Sequence, residues 1–444
     1  MSEEKITRRK YMKYAGAAIA AGAVAAAGYG IYQYSGQPSP TSPTSPLPTS
    51  PTIETPASGR KMKIGGTKPF TGPDAIFGIA EGRGNELWAK LVNEAGGIKA
   101  ADGNTYEVEL VLYNDEQRPE NVPRLYEKLI TDDKVDLLFG PVWGPLGMAT
   151  VPIVEKYRKF EVYGTCSFDP AVYQDWKYIV HVITNGPGYM NALTDMIISK
   201  VLPNDPDAKN IAITHGDDMF SRTVGIYGHE YALEQGMNVV FYDSYGTATT
   251  DLTPIITKAK ANNPSIFLNA GAYAAAILLV KQMKELDLNV KMLWPGTGAV
   301  FPKFYETLGK DCEGIVTCSQ WEPGVLYEHN YGPSHDEFID EFQKEHGESP
   351  DYTTATGFQQ GLVMQKCMEQ CSQPTDSDAM RQVAGQIDMT TFYGKYKVDP
   401  TTGWQIAHEM SNIQWQNAEK KVVWVPGEKS PSELIYPIAK WSER

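Results

Sequence analysis

The sequence predicts an α/β protein built from two lobes, each a doubly wound parallel sheet. Short apolar stretches alternate with segments of helical spacing from about residue 61 onward, and this alternation is typical of parallel strands joined by helices. It runs through two series of similar size, one before and one after Asn185-Gly186. A chain of 444 residues is long enough to bury two such cores.

The hydrophobic pattern predicts the individual strands and helices of each series. The short apolar runs of the first predict strands at 62–67, 108–113, 135–139 and 161–164, and its amphipathic segments predict helices at 80–94, 120–131 and 148–157. The second series predicts strands at 211–214, 239–242, 265–270 and 291–294, with helices at 221–235, 253–261, 274–286 and 302–308. We therefore expect the first lobe over 61–184 and the second over 185–320.

The tail beyond residue 320 is too small to form a third domain. It turns helical at 335–346 and 354–369 and closes with an aromatic-rich β section at 393–425. We expect about 321–390 to return to the first lobe, and about 391–430 to join the second lobe while crossing between the two.

The first 60 residues predict export. The paired arginines of "TRRKYMK" (7–13) precede an apolar stretch at 15–31, which is typical of a secretory signal of the twin-arginine type. A retained N-terminal membrane anchor is the alternative for residues 1–34, and both stay open. Residues 35–60 are rich in Pro, Ser and Thr, a composition that stays extended and cannot build a core. We expect a protein at the cell surface or in the periplasm, either free or tethered through this segment.

The charge and the cysteine spacing argue against nucleic acid and against a metal ion as partners. The net charge is −14, and no Lys/Arg stripe with interleaved aromatic residues occurs, so we expect no nucleic acid. The five cysteines are too few for a disulfide scaffold. Cys312 and Cys318 are close enough to pair across a turn, whereas Cys367 and Cys371 stand i, i+4 on a helical pattern, a poor disulfide geometry. Neither pair has a histidine at zinc spacing, so we expect no metal.

Motifs of catalysis are weak. "GRGNEL" (82–87) lies on a helical pattern rather than after a strand, unlike a dinucleotide fingerprint. His215, Asp217 and Asp218 imitate a metal site or catalytic pair, but we expect an aspartate there to cap the next helix. Cys166 has no identifiable histidine partner that would make it a nucleophile. The sequence therefore predicts neither an enzyme nor a cofactor.

Loops at the carboxyl ends of the predicted strands place aromatic residues beside Gly, Thr or Ser. "GPVWGPLG" (140–147) and "GTCSFDP" (164–170) follow strands of the first lobe, and "WPGTGAVF" (294–301) follows a strand of the second. Ligands of open α/β sheets bind at these ends. Rings, hydroxyls and free backbone N–H groups suit a small organic ligand.

Five segments carry a resemblance to a known family. "TGPDAIFG", "LVNEAGGI", "DKVDLLFGP", "TTDLTPIITKAKANNPSIFLNAGAY" and "LVKQMKEL" follow one another in that family's order and spacing. Over about 61–430 the chain resembles the solute-binding proteins of ABC importers in the branched-chain amino acid class, with the periplasmic binding fold of type I. The resemblance implies two lobes joined by three crossings that close on a ligand, and an ABC permease in the membrane as partner. We expect a monomer. A ligand-sensing receptor ectodomain of the same fold is the alternative function.

The resemblance also implies a ligand site, although the match is partial. The family grips a carboxylate with hydroxyls after the third and fourth strands and an ammonium with a glutamate of the second lobe. Here Trp143 and Gly144 stand where the first serine is expected, and Thr297 stands nearest the acidic position. Aromatic wall positions match Phe77, Phe220 and Tyr273. The candidate ligand-binding residues are Phe77, Trp143, Gly144, Leu146, Thr165, Cys166, Ser167, Phe220, Tyr273, Thr297 and Trp321.

The missing glutamate bears on the ligand. A buried ammonium without a counter-charge costs several kcal/mol, so an α-amino acid requires Asp169 or Asp218 as a substitute. A carboxylate or amide fits better, with backbone donors from the helix that opens at Leu146. The ligand is thus expected to be a branched-chain or hydrophobic amino acid, or a related carboxylate or amide. Trp143 is predicted to form a wall of the cleft, with packing in the lobe core as the alternative.

Overall fold

The computed structural model describes residues 59–72, 75–169 and 176–444. The predicted signal or anchor (1–34) and the predicted linker up to residue 58 lie outside the described residues. Within those residues, none of the helices combines the length and the apolar character that crossing a membrane requires.

The first sheet has six strands in the order β2-β3-β1-β4-β5-β6. Every neighbouring pair is parallel except β2–β3, which is antiparallel. The strands are β1 (Arg60–Lys68), β2 (Ile98–Lys99), β3 (Thr105–Asn114), β4 (Leu137–Phe139), β5 (Glu161–Tyr163) and β6 (Ile179–His181). Helices α1 (Ala75–Glu94), α2 (Val122–Thr131) and α3 (Gly144–Tyr157) connect them. We call this sheet and the helices on it lobe 1.

The second sheet has four parallel strands in the order β10-β9-β7-β8. These are β7 (Asn210–Gly216), β8 (Asn238–Tyr245), β9 (Ile266–Ala270) and β10 (Met292–Trp294). The accompanying helices are α4 (Gly186–Met196), α5 (Met219–Glu234), α6 (Thr253–Ala261), α7 (Tyr273–Glu285) and α8 (Pro302–Leu308). We call this unit lobe 2. The predicted α/β class with two parallel-sheet lobes is confirmed.

The tail divides between the lobes. Helices α9 (His335–His346), α10 (Tyr352–Gln370) and α11 (Ser377–Ala384) precede the hairpin of β12 (Asp388–Thr391) and β13 (Gly394–Lys397). Phe358, Leu362 and Tyr393 from this stretch lie in one buried cluster with Trp88 and Phe139 of lobe 1. Strands β11 (Val316–Ser319), β14 (Ser411–Gln416) and β15 (Glu419–Trp424) form a separate antiparallel sheet that shares a cluster with lobe 2.

Three chain segments cross between the lobes, and hydrogen bonds tie them together. The Gln320 side-chain Nε2 donates to the Thr184 carbonyl oxygen at 3.2 Å, and the Thr184 hydroxyl donates to the His408 carbonyl oxygen at 2.6 Å. Burial lowers the pKa of His408 to about 4, so its ring is neutral, and Nε2 donates to the Gln320 carbonyl oxygen at 2.9 Å. The three-crossing hinge implied by the resemblance is present.

Several predicted elements differ from the structure at helix starts and in short elements. The first helix begins at Ala75 rather than residue 80, and α3 begins at Gly144 rather than 148. Gly and Pro hide both starts, although Pro is favoured in a first helical turn. The same cause hid α4, which opens with Gly186-Pro187-Gly188. The two-residue β2 and three-residue β6 are too short to show a periodic pattern.

Helices α1 and α10 approach each other closely through glycines. A Cβ on Gly84 would lie 2.1 Å from the Thr354 carbonyl oxygen, and one on Gly357 would lie 2.1 Å from the Glu81 carbonyl oxygen. Because both obstacles are backbone atoms, neither can rotate aside. This contact seats α10 against lobe 1 behind the strand ends.

Gly357→Ala should therefore lower the free energy of unfolding by about 1–3 kcal/mol, because the helices must separate to admit one methyl group. Urea denaturation followed by circular dichroism measures the change. Gly246→Ala is the matched control, since the nearest atom to its Cβ position is the Asp217 Oδ2 at 3.8 Å. Equal stability of the two variants would contradict the prediction.

Candidate functional site

The loops that follow β1, β4 and β5 of lobe 1 meet residues of lobe 2. The ring centroids of Phe77 and Phe301 are 4.7 Å apart in an edge-to-face contact. A Cβ on Gly144 would lie 3.1 Å from the Met219 Cε at the start of α5. The boundary between the lobes thus lies where ligands of such sheets bind.

Trp143 has an unusual backbone conformation. It precedes α3 with φ 80° and ψ 141°, a region that side chains other than glycine rarely adopt. Its N–H donates to the Thr165 carbonyl oxygen at 2.9 Å, and its own carbonyl oxygen accepts from the Gly147 N–H at 3.0 Å. Its indole packs edge-to-face on Phe77, with centroids 4.9 Å apart. These contacts hold the loop after β4 against the loop after β5.

Three polar atoms at this junction are buried and have no hydrogen-bond partner among the described residues. They are the Trp143 Nε1, the Thr165 Oγ1 and the Ser167 Oγ. Thr165 is 8% exposed and Ser167 is 9% exposed. Leaving a buried polar atom unpaired costs about 1–3 kcal/mol, so these three atoms are candidates for contact with a ligand. We call these three residues the polar corner.

A buried ion pair, Lys68–Glu81, positions the backbone of the polar corner. The Lys68 Nζ donates to the Glu81 Oε1 at 2.5 Å and to the Gly140 carbonyl oxygen at 2.7 Å. The Glu81 Oε2 accepts from the Thr165 N–H at 2.9 Å. Both side chains are 0% exposed, so the bonds act in a low dielectric. One pair thus fixes the end of β1, the loop after β4 and the loop after β5.

Aromatic residues of lobe 2 and the tail complete the boundary. Phe220 packs edge-to-face on Tyr189 with centroids 5.1 Å apart, and the Tyr189 hydroxyl accepts from Gln320 Nε2 at 3.1 Å. Phe301 also contacts Tyr352, with centroids 5.7 Å apart. Tyr189 thus joins this ring pair to the crossing at Gln320, and Phe301 joins lobe 2 to α10.

Other predicted site residues point into the protein. The Cys166 Sγ lies 2.9 Å from the Pro141 carbonyl oxygen, and Leu146 lies in the same buried cluster as Cys166. Trp321 is 1% exposed and packs against Phe338 with centroids 5.6 Å apart.

Two predicted residues of lobe 2 are hydrogen-bonded within that lobe. The Tyr273 hydroxyl donates to the Lys303 carbonyl oxygen at 3.0 Å, and the Thr297 hydroxyl donates to the Gly271 carbonyl oxygen at 3.5 Å. The structure therefore gathers Phe77, Trp143, Gly144, Thr165 and Ser167 but does not bring these two to the polar corner. A ligand-binding role for any of the eleven candidates stays a prediction.

The aspartates that were alternatives for an ammonium have other partners. Asp218 caps α5 by accepting from the Ser221 N–H at 2.9 Å, which confirms the predicted capping role. Asp169 accepts from the Tyr227 hydroxyl at 3.3 Å. In the described part of the chain no cluster of His, Cys, Asp and Glu is arranged to hold a metal ion. All five cysteines are free and buried.

The sequence analysis did not identify the Lys68–Glu81 ion pair or the rings of Phe301 and Tyr352. Lys68 and Glu81 are 13 residues apart, and nothing local pairs them, although a charged residue at the end of a buried strand was a usable signal. Phe301 lies at the end of the "WPGTGAVF" loop, from which only Thr297 was taken. Tyr352 comes from the returning tail, whose contacts have no local pattern.

Comparison with known proteins agrees with this architecture. The model of a family described as periplasmic binding protein matches residues 61–420. "Leu/Ile/Val-binding protein homolog 7" of Brucella abortus (strain 2308) is 21% identical over 389 residues, which cover 85% of this chain and 94% of that protein. "Amino acid binding protein" of Pseudomonas aeruginosa is 24% identical over 232 residues, 52% of this chain and 59% of that protein.

Two solved structures of similar fold hold different ligands. The branched-chain amino acid transporter substrate-binding protein LivJ from Streptococcus pneumoniae, in complex with isoleucine, has a TM-score of 0.68 at 17% identity, covering 85% of this chain and 100% of that one. A solute-binding protein of an ABC transporter from R. palustris, in complex with 4-hydroxybenzoate, has a TM-score of 0.66 at 19% identity, covering 86% and 96%. At this identity the likeness concerns the fold.

Proposed function

Since this chain belongs to the periplasmic binding protein family, we propose that it captures a small organic ligand between its lobes and delivers it to an ABC importer. The relatives and neighbours named above are binding proteins, which supports binding rather than catalysis. A location outside the cytoplasm is consistent with the family and with the export signal expected from Arg8 and Arg9. The membrane permease is the proposed partner of the closed, ligand-bound form.

The polar corner is the observation that carries this proposal. Trp143 offers an N–H donor, and Thr165 and Ser167 offer hydroxyls that donate or accept. All three atoms are buried at the lobe boundary without partners among the described residues. A ligand that brings several acceptor lone pairs to this place would satisfy them. Phe77 and Phe301 offer apolar surface to the rest of such a ligand.

The charges favour a carboxylate or amide that lacks an amino group. Glu81 is paired with Lys68, and Asp169 and Asp218 accept from other groups. An ammonium at the polar corner would therefore meet no free carboxylate among these side chains, at a cost of several kcal/mol. The fold accommodates both ligand classes, because the LivJ structure holds isoleucine and the R. palustris protein holds 4-hydroxybenzoate.

Closure of the lobes is the proposed mechanism of capture. The three crossings are joined by side-chain bonds of Gln320 and Thr184 and would act as the hinge about which the lobes rotate. Phe77 of lobe 1 and Phe301 of lobe 2 are in contact, so closure brings apolar surface together as well as enclosing the ligand. Ligand binding then favours the closed form by its differential affinity.

A thermal-shift screen of the full chain tests the proposal. Ligand at 100 times its Kd should stabilise the native protein by about 2.7 kcal/mol. We expect 4-hydroxybenzoate or an aliphatic carboxylate to raise the Tm, and 4-hydroxybenzyl alcohol, which lacks the carboxylate, to leave it unchanged. A shift with leucine and isoleucine alone would reject the proposed ligand class. No shift with carboxylates, amides or amino acids would contradict the binding function.

A further inference from the structure

We propose that the indole N–H of Trp143 is the specificity-determining donor of the site and selects ligands with a carboxylate or carbonyl acceptor at that end. The inference rests on the proposed function and assigns to Trp143 a directed hydrogen bond in addition to an apolar wall. It also gives a reason for tryptophan at a position where the backbone disfavours one.

The backbone at Trp143 is the first observation. A φ of 80° is accessible to glycine without strain, whereas a residue with a Cβ adopts it only when its surroundings enforce it. The Trp143 N–H and carbonyl oxygen are both hydrogen-bonded, to Thr165 and Gly147, so the conformation is fixed. A tryptophan in such a place indicates that its side chain has a task glycine cannot perform.

The unpaired indole is the second observation. The indole N–H groups of four other tryptophans have partners: Trp88 donates to Gln365, Trp294 to Thr317, Trp415 to Ala299 and Trp441 to Leu288. The Trp143 Nε1 is buried and has no partner among residues 59–72, 75–169 and 176–444. The same holds for Trp321, whose ring packs among Phe338, Phe392 and His335 and is not part of the lobe boundary described above.

The neighbours of Trp143 define what it selects. An indole N–H donates and never accepts, so it rejects an ammonium or a second donor. The Thr165 carbonyl oxygen accepts from the Trp143 backbone N–H. Ser167 lies two residues beyond Thr165. Three potential donors on two adjacent loops match the lone pairs of one carboxylate. Glu81 holds the Thr165 N–H from behind, so the donors are positioned before the ligand arrives.

Isothermal titration of the full chain with 4-hydroxybenzoate tests the inference. Trp143→Phe keeps an aromatic wall and removes the N–H, so affinity should fall about tenfold or more, the usual effect of losing a hydrogen bond to a charged acceptor. Trp441→Phe is the matched control, because it removes an indole N–H that is bonded to Leu288, and its affinity should equal that of the unmodified protein. The loss should be smaller for 4-hydroxybenzamide, which carries no charge.

The outcomes separate the inference from the proposed function. If the unmodified protein binds 4-hydroxybenzoate and Trp143→Phe binds it within twofold, the inference is overturned and the proposed function stands. If the unmodified protein binds neither probe, the ligand class and the inference fail together. A further measurement needs no variant: among the indole N–H signals of the nine tryptophans, one should shift and exchange more slowly on adding 4-hydroxybenzoate. Unchanged indole signals in a protein that binds the probe would also overturn it.

Discussion

Lys68→Met is expected to lower the free energy of unfolding by about 3–5 kcal/mol, because it leaves the Glu81 charge buried and unpaired. Both side chains are 0% exposed, so water cannot replace the lost ammonium. The Gly140 carbonyl oxygen loses its donor as well. Urea denaturation at neutral pH measures the change.

Two variants sharpen this prediction. The double variant Lys68→Met/Glu81→Gln removes both charges and should be more stable than Lys68→Met alone, since an uncharged pair avoids the desolvation of a lone carboxylate. Lys61→Met is the matched control on the same strand: its partner Glu109 is at 3.2 Å, but the side chains are 60% and 35% exposed. Such surface pairs contribute about 0–1 kcal/mol. Similar losses in Lys68→Met and Lys61→Met would contradict the structural role of the buried pair.

Glu161→Gln is expected to remove a pH dependence of stability that spans about 3 kcal/mol between pH 5 and pH 8. Glu161 lies on β5, is 0% exposed and accepts from the Thr150 hydroxyl at 2.9 Å. Burial raises its pKa from 4.5 to about 8, so the folded protein holds a proton there at neutral pH that the unfolded chain releases.

The sign follows from the protons bound. Between pH 4.5 and about 8 the folded state binds the Glu161 proton and the unfolded state does not, so the stability that this proton confers is lost as pH rises. Glutamine imitates the neutral carboxyl and is indifferent to pH. The difference in unfolding free energy, Glu161→Gln minus unmodified protein, should therefore increase with pH over this interval.

Other buried groups also make the stability depend on pH, some raising it and others lowering it as pH rises. The difference between Glu161→Gln and the unmodified protein is measured because it removes their effect. Burial raises the pKa of Asp115 to about 6, which acts in the same direction as Glu161, and lowers that of His181 to about 3, which acts oppositely. Both groups are shared by the two proteins and cancel. Glu127→Gln serves as control, because hydrogen bonds from Tyr157 and Lys156 lower the pKa of that exposed carboxyl. A difference that stays flat from pH 5 to 8 would reject the assignment for Glu161.

Elements with chemical boundary signals were predictable from the sequence. Helices α6 and α8 have the predicted bounds, and each carries a proline in its first turn. Helix α9 also agrees, because Ser334 and Glu337 form a capping box and Gly347 ends the helix in the left-handed conformation. Where Gly and Pro lie inside a helix start, as at Gly144, the same residues conceal it.

The site was predictable to the extent that it follows from sheet geometry. The ends of adjacent parallel strands converge, so the loops carrying Trp143, Thr165 and Ser167 were expected to meet, and they do. Side-chain direction was not predictable: Cys166 lies between Thr165 and Ser167 in sequence but turns its thiol toward the Pro141 carbonyl oxygen. The Lys68–Glu81 pair depends on packing that no local pattern encodes.

The return of α10 to lobe 1 has a consequence for biosynthesis. The Asn85 side chain donates to the Gly357 carbonyl oxygen, 272 residues further along the chain. At about 5–20 residues per second, a ribosome needs roughly 14–54 s to synthesise that distance. During this time helix α1 has no partner for its glycine face, and Trp88 can pack only on lobe 1 residues such as Phe139. The strands of lobe 2, contiguous from 210 to 294, can pair without waiting. Lobe 1 therefore completes its core only after α10 has been synthesised, although its strands are made first.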